Sequence, residues 1–146
     1  MMKGFKQVLT EAKEKVVFAF GRFNPPTTGH EKLINKVASV AGSSDYRIYP
    51  SFTKNPTKDP LPHALKIAYM RKMFPKHARK IIADQDATTA MAIATKLYDE
   101  GYKNLVMVAG SDRIKEFQKL LDTYNGVKGK RHGYYKFESI GVVSAG

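Results

Sequence analysis

The sequence predicts a single doubly wound α/β domain, a parallel sheet of about five strands with helices on both faces. Three observations carry that prediction. Short, continuously apolar runs such as "VVFAF" and "NLVMVAG" recur along the chain, as strands covered on both faces do. Segments with apolar residues at helical spacing alternate with those runs, and strand–helix alternation argues for parallel pairing with helices packed on the sheet. The length of 146 residues, 42% of them hydrophobic, suits one domain with its own core.

Each element has its own signal. Residues 3–14 place Phe5, Val8, Leu9 and Ala12 at i, i+3, i+4 and i+7, a short amphipathic helix. "VVFAF" (16–20) is the first strand. Leu33, Ile34, Val37, Ala38 and Ala41 repeat at helical spacing, and Gly42 with Ser43 and Ser44 ends that helix. "YRIYPSF" (46–52) reads as the second strand and "TKNPTKDPLP" (53–62) as a Pro-punctuated loop. "HALKIAYMRKMF" (63–74) forms a helix stopped by Pro75, and "KIIA" (80–83) is a third, short strand. Ala90, Ile93, Ala94, Leu97 and Tyr98 mark a helix closed by a left-handed Gly101. "NLVMVAG" (104–110) is the fourth strand. Ile114, Phe117, Leu121 and Tyr124 then share a helix face, with Ser111 or Asp112 as N-cap. "NGVKGKRHGYYK" (125–136) is a polar, basic loop, and "FESIGVVSAG" supplies the last strand. No internal repeat, linker or low-complexity tract divides residues 1–146.

Composition removes several classes of function. There is no Cys, which excludes disulfides, thiolate catalysis and Cys-based zinc sites and fits a reducing compartment. The start, "MMKGFKQVLTEAKEK", lacks the apolar core of a secretory signal, and no apolar run reaches the roughly 18 residues of a membrane span. The expectation is a soluble, cytoplasmic protein. Twenty-five Lys and Arg face 13 Asp and Glu, a net charge of +12. That excess favours polyanions, whether nucleic acid or a small phosphorylated substrate, though a basic solvated surface gives the same number.

The turn after the first strand carries the chemistry. Neither G-x-G-x-x-G nor G-x-x-x-x-G-K-(S/T) occurs there, so a dinucleotide oxidoreductase and a P-loop NTPase are unsupported. The string is G-R-F-N-P-P-T-T-G-H. Gly21 lets the backbone turn and approach a ligand, and Pro25 and Pro26 stiffen the loop. Gly29 clears space for a phosphate, and His30 stands in the first turn of the helix. Backbone N–H groups, the positive end of the helix dipole, the imidazole and the Thr27 hydroxyl then converge on one place, a polyphosphate site.

These residues resemble the (H/T)-x-G-H signature of the nucleotidyltransferase superfamily of α/β adenylyl- and cytidylyltransferases, a Rossmann-like fold. Thr27, Thr28, Gly29 and His30 fill its four positions, and Gly21-Arg22-Phe23-Asn24-Pro25 is similar to the family's G-x-F-(D/Q/N)-P. The T-x-G-H form is typical of the phosphopantetheine adenylyltransferase branch, whose loop after strand two "NPTKDPL" (55–61) also resembles. "VAGSDRIKEF" (108–117) is closer to the G-(A/S)-D stretch of nicotinate and nicotinamide mononucleotide adenylyltransferases. The resemblance covers essentially the whole chain.

The resemblance implies an adenylyl transfer more than a cytidylyl transfer. An acceptor phosphate, on a pyridine mononucleotide before a phosphopantetheine, attacks the α-phosphate of ATP or CTP, and pyrophosphate leaves. It implies His30, Thr27 and Lys58 as catalytic residues, and Gly21, Arg22, Phe23, Asn24, Gly29, His30, Gly110 and Asp112 as nucleotide contacts. Mg²⁺ would ride on the nucleotide's phosphates, since no carboxylate cluster forms an obvious protein cage. The family's phosphate-gripping motif after the last strand is missing, because the sequence stops at "GVVSAG". A segment beyond Gly146 is the favoured expectation. Substitution by Lys128, Lys130 and Arg131, or a defective enzyme, are the others.

Blander readings stand beside these. Thr27 and Asp112 are good helix caps in their own right, and a loop lysine such as Lys58 is normally solvated. His63, His77 and His132 have no metal-ligand spacing and read as surface residues. Asp84 and Asp86 read as turn residues, and Met70, Met73 and Met91 as core or helix surface. "KGKRHGYYKF" mixes basic and aromatic residues as single-strand nucleic-acid binders do, but a solvated, mobile loop near the substrate is preferred. The competing function is a non-catalytic nucleotide- or nucleic-acid-binding module of the same fold. A homo-oligomer is compatible with either.

Overall fold

Alternation along the strands builds two apolar layers from one sheet. In β1 (Lys15–Gly21), Val16 and Phe18 enter one layer while Val17 and Ala19 enter the other, all four without exposure. The computed structural model describes residues 14–23, 29–51 and 62–145; all of the expected helix over 3–14 but Glu14, and all of the loop 53–62 but Pro62, lie outside them. β2 (Asp45–Pro50), β3 (Asn104–Ala109) and β4 (Ser139–Ser144) complete a sheet of order β2-β1-β3-β4 in which every pairing is parallel. Phe18 stands beside Arg47 on one side and Met107 on the other, and Met107 beside Val142.

Helices cover both faces. α1 (Gly29–Ala41) and α2 (His63–Met73) bury Ile34, Val37, Ala41, Ile67 and Met70 against Val17, Ala19 and Val108. α3 (Ala90–Asp99) and α4 (Ile114–Thr123) bury Ala90, Ile93, Leu97 and Leu121 against Phe18, Leu105 and Met107. Gly42 and Gly101 take positive φ just past α1 and α3, as helix-ending glycines do. β4 is an edge strand, and the Gln118 side chain of α4 covers part of it. Gln118 donates to Ile140 O at 2.9 Å and accepts from Val142 N at 2.9 Å, which occupies backbone groups that an open edge would leave unpaired.

Four expectations need correction. The sheet has four strands, not about five, because "KIIA" makes a single parallel bridge, Ile48↔Ile81. A 3-10 helix, Pro75–Lys80, runs up to Ile81, and a turn follows at Asp84, leaving no length for a ladder. Neither Ser111 nor Asp112 caps α4; Ser111–Arg113 forms a 3-10 turn of its own, and α4 starts without a side-chain cap. His77 is buried rather than superficial. Its ring bridges Tyr46 Oη on β2 at 2.8 Å and Asn35 Oδ1 on α1 at 2.9 Å.

The fourth correction is the 125–136 loop, which is pinned to the core. Tyr135 is fully buried and donates its hydroxyl to Leu121 O at 2.6 Å, while Asn125 exchanges two hydrogen bonds with the backbone of Phe137. His132 packs edge-on to Tyr124 with 5.1 Å between ring centroids. Asp84 is a turn residue as expected, accepting from Asp86 N and pairing with Lys96. At the amino ends of the strands, Asp45 takes hydrogen bonds from Lys80 and Tyr102 and lies beside Arg47. Burial pushes that carboxyl up, but those bonds and charges outweigh it and hold its pKa below the usual carboxylate value.

Candidate functional site

Strand order reverses between β1 and β3: β1 connects outward to β2, while β3 connects the other way to β4. In parallel α/β sheets the carboxyl ends of strands at such a reversal leave a crevice, because the connections diverge to opposite faces. A cleft of about 630 Å³ opens there, within the range of small-molecule sites. Phe20, Gly21 and Arg22 come to it from β1, and Val108, Ala109 and Gly110 from β3. Asp112, Arg113 and Phe117 form its far wall, Thr88, Thr89 and Met91 the start of α3, and Leu33 the α1 side.

Four residues singled out from sequence therefore meet across one opening: Gly21 and Arg22 from the first motif, Gly110 and Asp112 from the last. The Asp112 carboxylate stands close to Gly110, 2.9 Å from where a Cβ would sit. Phe23 is not in the lining. It is buried, takes φ +50°, and lays its ring 3.3 Å from the Cβ position of Gly21. A side chain at 21 would press on that ring.

His30 stands beside the cleft, outside its lining. Its imidazole is half-buried and meets the Phe23 ring edge to face, with centroids 4.8 Å apart. Leu33, one turn further along the same helix face, does line the cleft. Burial holds the His30 pKa below the ordinary imidazole value, so the ring is neutral near pH 7 and can donate one hydrogen bond. Gly29, the first residue of α1, is exposed. Asn24, Thr27 and Lys58 lie outside the described residues.

The basic loop sits to one side. Arg131 and His132 line a neighbouring cavity of about 520 Å³ that shares Thr88, Thr89 and Met91 with the cleft. Lys128 and Lys130 line neither; they lie over the rings of Tyr134 and Tyr124.

Sequence reasoning missed the β2 side of the cleft. Ser51 lines it, and its N–H donates to Gly21 O at 2.7 Å, tying the ends of β1 and β2 together. Its carbonyl accepts from the Nζ of Lys66 at 2.8 Å, and Lys66 is a lysine with 1% exposure. The Ser51 hydroxyl is buried without a partner. A lysine within a helix reads as solvated, and only the tertiary fold shows otherwise. Arg113, paired with Glu116 and lying over the Phe117 ring, was likewise unsignalled.

Among the described residues, no helix is long and apolar enough to cross a membrane, and no group of three or more His, Asp or Glu could hold a metal ion. A relative from Sulfurimonas denitrificans, named a probable nicotinate-nucleotide adenylyltransferase, is 27% identical over 104 residues, 67% of this chain. The match spans 57% of that relative's own length. The cytidylyltransferase-like family matches residues 18–142, nearly the whole parallel sheet and the cleft above it. The chain belongs to the cytidylyltransferase-like family.

Proposed function

We propose that the protein is a nucleotidyltransferase that binds a nucleoside triphosphate in the cleft above β1 and β3. An oxygen of the acceptor's phosphate attacks the α-phosphorus, the bond from that phosphorus to the β-bridging oxygen breaks, and pyrophosphate leaves with the electron pair. Such transfers need positioning and charge stabilisation more than covalent catalysis. One observation carries the reading: residues of the first and last motifs, Gly21 and Arg22 with Gly110 and Asp112, face one cleft at the strand-order reversal.

In this reading Arg22 and Arg113 supply the positive charge, and the neutral imidazole of His30 donates a hydrogen bond to a phosphate oxygen, assisted by Thr27, Lys58 and the amino end of α1. Gly21 and Gly29 permit close approach of the backbone, Phe23 holds the His30 ring, and Asn24 is a further nucleotide contact in this reading. Asp112 and Gly110 hold the ribose or base. Lys128, Lys130 and Arg131 would reach phosphates only from the adjoining side. Mg²⁺ would travel on the triphosphate oxygens, its preferred partners. The name of the Sulfurimonas relative supports ATP over CTP and a pyridine mononucleotide as acceptor.

The test is a pyrophosphate-release screen of ATP and CTP, with Mg²⁺, against phosphorylated acceptors. Turnover with one pair, lost on His30→Ala while circular dichroism is unchanged, is the expected result. No turnover with any pair, together with salt-sensitive nucleic-acid binding that survives His30→Ala, would replace the enzyme with a binding module.

A further inference from the structure

Among the described residues, the large hydrophobic side chains left exposed all sit on α2: Leu65 at 41%, Tyr69 at 47% and Met73 at 37%. Their i, i+4, i+8 spacing makes one stripe about 12 Å long on a helix that rises about 1.5 Å per residue. The other side of α2, with Ile67 and Met70, is already buried against the sheet, so this helix is apolar on two sides. Scattered exposed hydrophobics are ordinary, but their concentration on one helix face marks a contact surface.

Two further features say what would cover it. At the Met73 end the stripe reaches a cavity of about 210 Å³ lined by Met73, Phe74 and Pro75, with Glu31, Asn35, Lys76 and His77. A space of that size takes one large side chain, given that about 150 Å³ accepts benzene. The segment that carries the stripe is basic: from Pro62 to Ala83 the sequence has Lys66, Arg71, Lys72, Lys76, Arg79 and Lys80 and no Asp or Glu, against which Glu31 of α1 is the acid in the cavity lining. Arg71, Lys72, Lys76 and Arg79 are exposed.

We propose that α2 is the docking face for an amphipathic helix of another protein, whose apolar side chains recur one turn apart between flanking Asp and Glu. Its end residue fills the cavity beside Met73. A helix laid along a helix reads i, i+4 stripes in this way, and opposite charge at the rim steers it. A second copy of this chain fits less well, because each copy brings four exposed cations, Arg71, Lys72, Lys76 and Arg79, against the single acid Glu31. Nucleic acid would use the cations but leave Leu65 and Met73 without a contact. None of the three stripe residues lines the nucleotide cleft, so the proposal stands independently of the enzymatic reading.

The test pans a phage-displayed library of random 16-residue peptides on the full chain and measures the enriched peptides by fluorescence anisotropy. Peptides combining apolar residues at i, i+4 spacing with acidic flanks are expected. Their affinity should fall at least 10-fold on the double variant Leu65→Gln/Tyr69→Ser and also fall as salt rises. Because both positions are exposed, circular dichroism of the variant should match the parent. Enriched peptides without acidic residues, or binding equal on parent and double variant, would overturn the proposal. So would light scattering that shows a dimer abolished by Tyr69→Ser, or pelleting with phosphatidylserine vesicles abolished by the same change.

Discussion

Gly110→Ala separates the geometry of the cleft from the stability of the fold. Gly110 has φ −63° and ψ 147°, a conformation alanine adopts freely, so the backbone tolerates the change. The new Cβ would stand 2.9 Å from Asp112 Oδ1, against ordinary contacts near about 3.5 Å. The carboxylate must therefore retreat by roughly half an ångström. Asp112 is exposed and can move at little cost, while replacing glycine lowers the entropy of the unfolded chain by about 0.4–1 kcal/mol. Stability should stay within about 1 kcal/mol of the parent. If Asp112 holds the nucleotide, a charge-assisted hydrogen bond worth about 1.5–3 kcal/mol is bent out of place. About a tenfold loss in kcat/KM follows, since a 1 Å misplacement can cost about a hundredfold. Steady-state pyrophosphate release and urea unfolding read the two effects. Asp112→Ala should lose at least as much activity. If Asp112→Ala is fully active, Asp112 touches no substrate. If Asp112→Ala is impaired but Gly110→Ala keeps kcat/KM within about twofold, the close-approach reasoning fails.

Gly133→Ala should act oppositely, on stability. Gly133 has φ +105°, and a Cβ there would lie 2.6 Å from Thr95 Cγ2; left-handed strain of about 1–2 kcal/mol adds to overpacking of about 1–3 kcal/mol. Urea unfolding should show a loss of about 2–5 kcal/mol, partly restored by Thr95→Ala, and a loss below about 1 kcal/mol would contradict it. Tyr135→Phe removes the donor to Leu121 O in the last turn of α4 and should cost about 1–2 kcal/mol, read by the same unfolding curve. Acid should weaken the fold in a defined window. Burial depresses the pKa of His30, His77 and His132, opposed at His77 by Glu31 and reinforced there by Lys76. The unfolded chain, titrating near about 6.5, then binds protons more readily than the native one. Stability is complete above that value and falls as pH drops through the lower native values. Urea midpoints should decline from pH 7.5 to 5, less steeply in His77→Gln, and a flat profile would refute the assignment.

Apolar runs made β1 and β3 legible, because strands covered on both faces leave no polar alternation to misread. "KIIA" carries the same local signal, yet only Ile81 pairs with β2. Whether four apolar residues become a strand depends on the length left by the 3-10 helix before and the turn after them. His77 lies in the run Pro-Lys-His-Ala-Arg-Lys, which announces a surface. Its burial is decided by Tyr46 and Asn35, 31 and 42 residues away, and no local pattern encodes such partners. The same divide runs through the cleft. Gly21, Arg22, Gly110 and Asp112 were readable because each follows a strand directly, where backbone geometry and ligand approach are local matters. Ser51 and Arg113 stand just as near strand ends but carry no motif that marks them, and Lys66 and Thr88 join the wall or its support only through the tertiary fold.

That divide changes where the charge in the proposed site comes from. Read from sequence, the imidazole was the centre of a phosphate site, with the helix dipole behind it. In the folded chain it is half-buried against Phe23 with a depressed pKa, and a neutral imidazole offers direction, not charge. Guanidinium groups remain charged at any working pH and present planar forks that fit phosphate oxygens. Arg22 and Arg113 line the cleft beyond the carboxyl ends of β1 and β3, so in the proposed site the attraction for a triphosphate falls first to them. A phosphate held between the two arginines would in turn favour the imidazolium and draw the His30 pKa back upward. In the proposed enzyme the proton on His30 and the anion in the cleft would then be coupled, and a residue poised neutral in the free protein would become a stronger donor once substrate is bound.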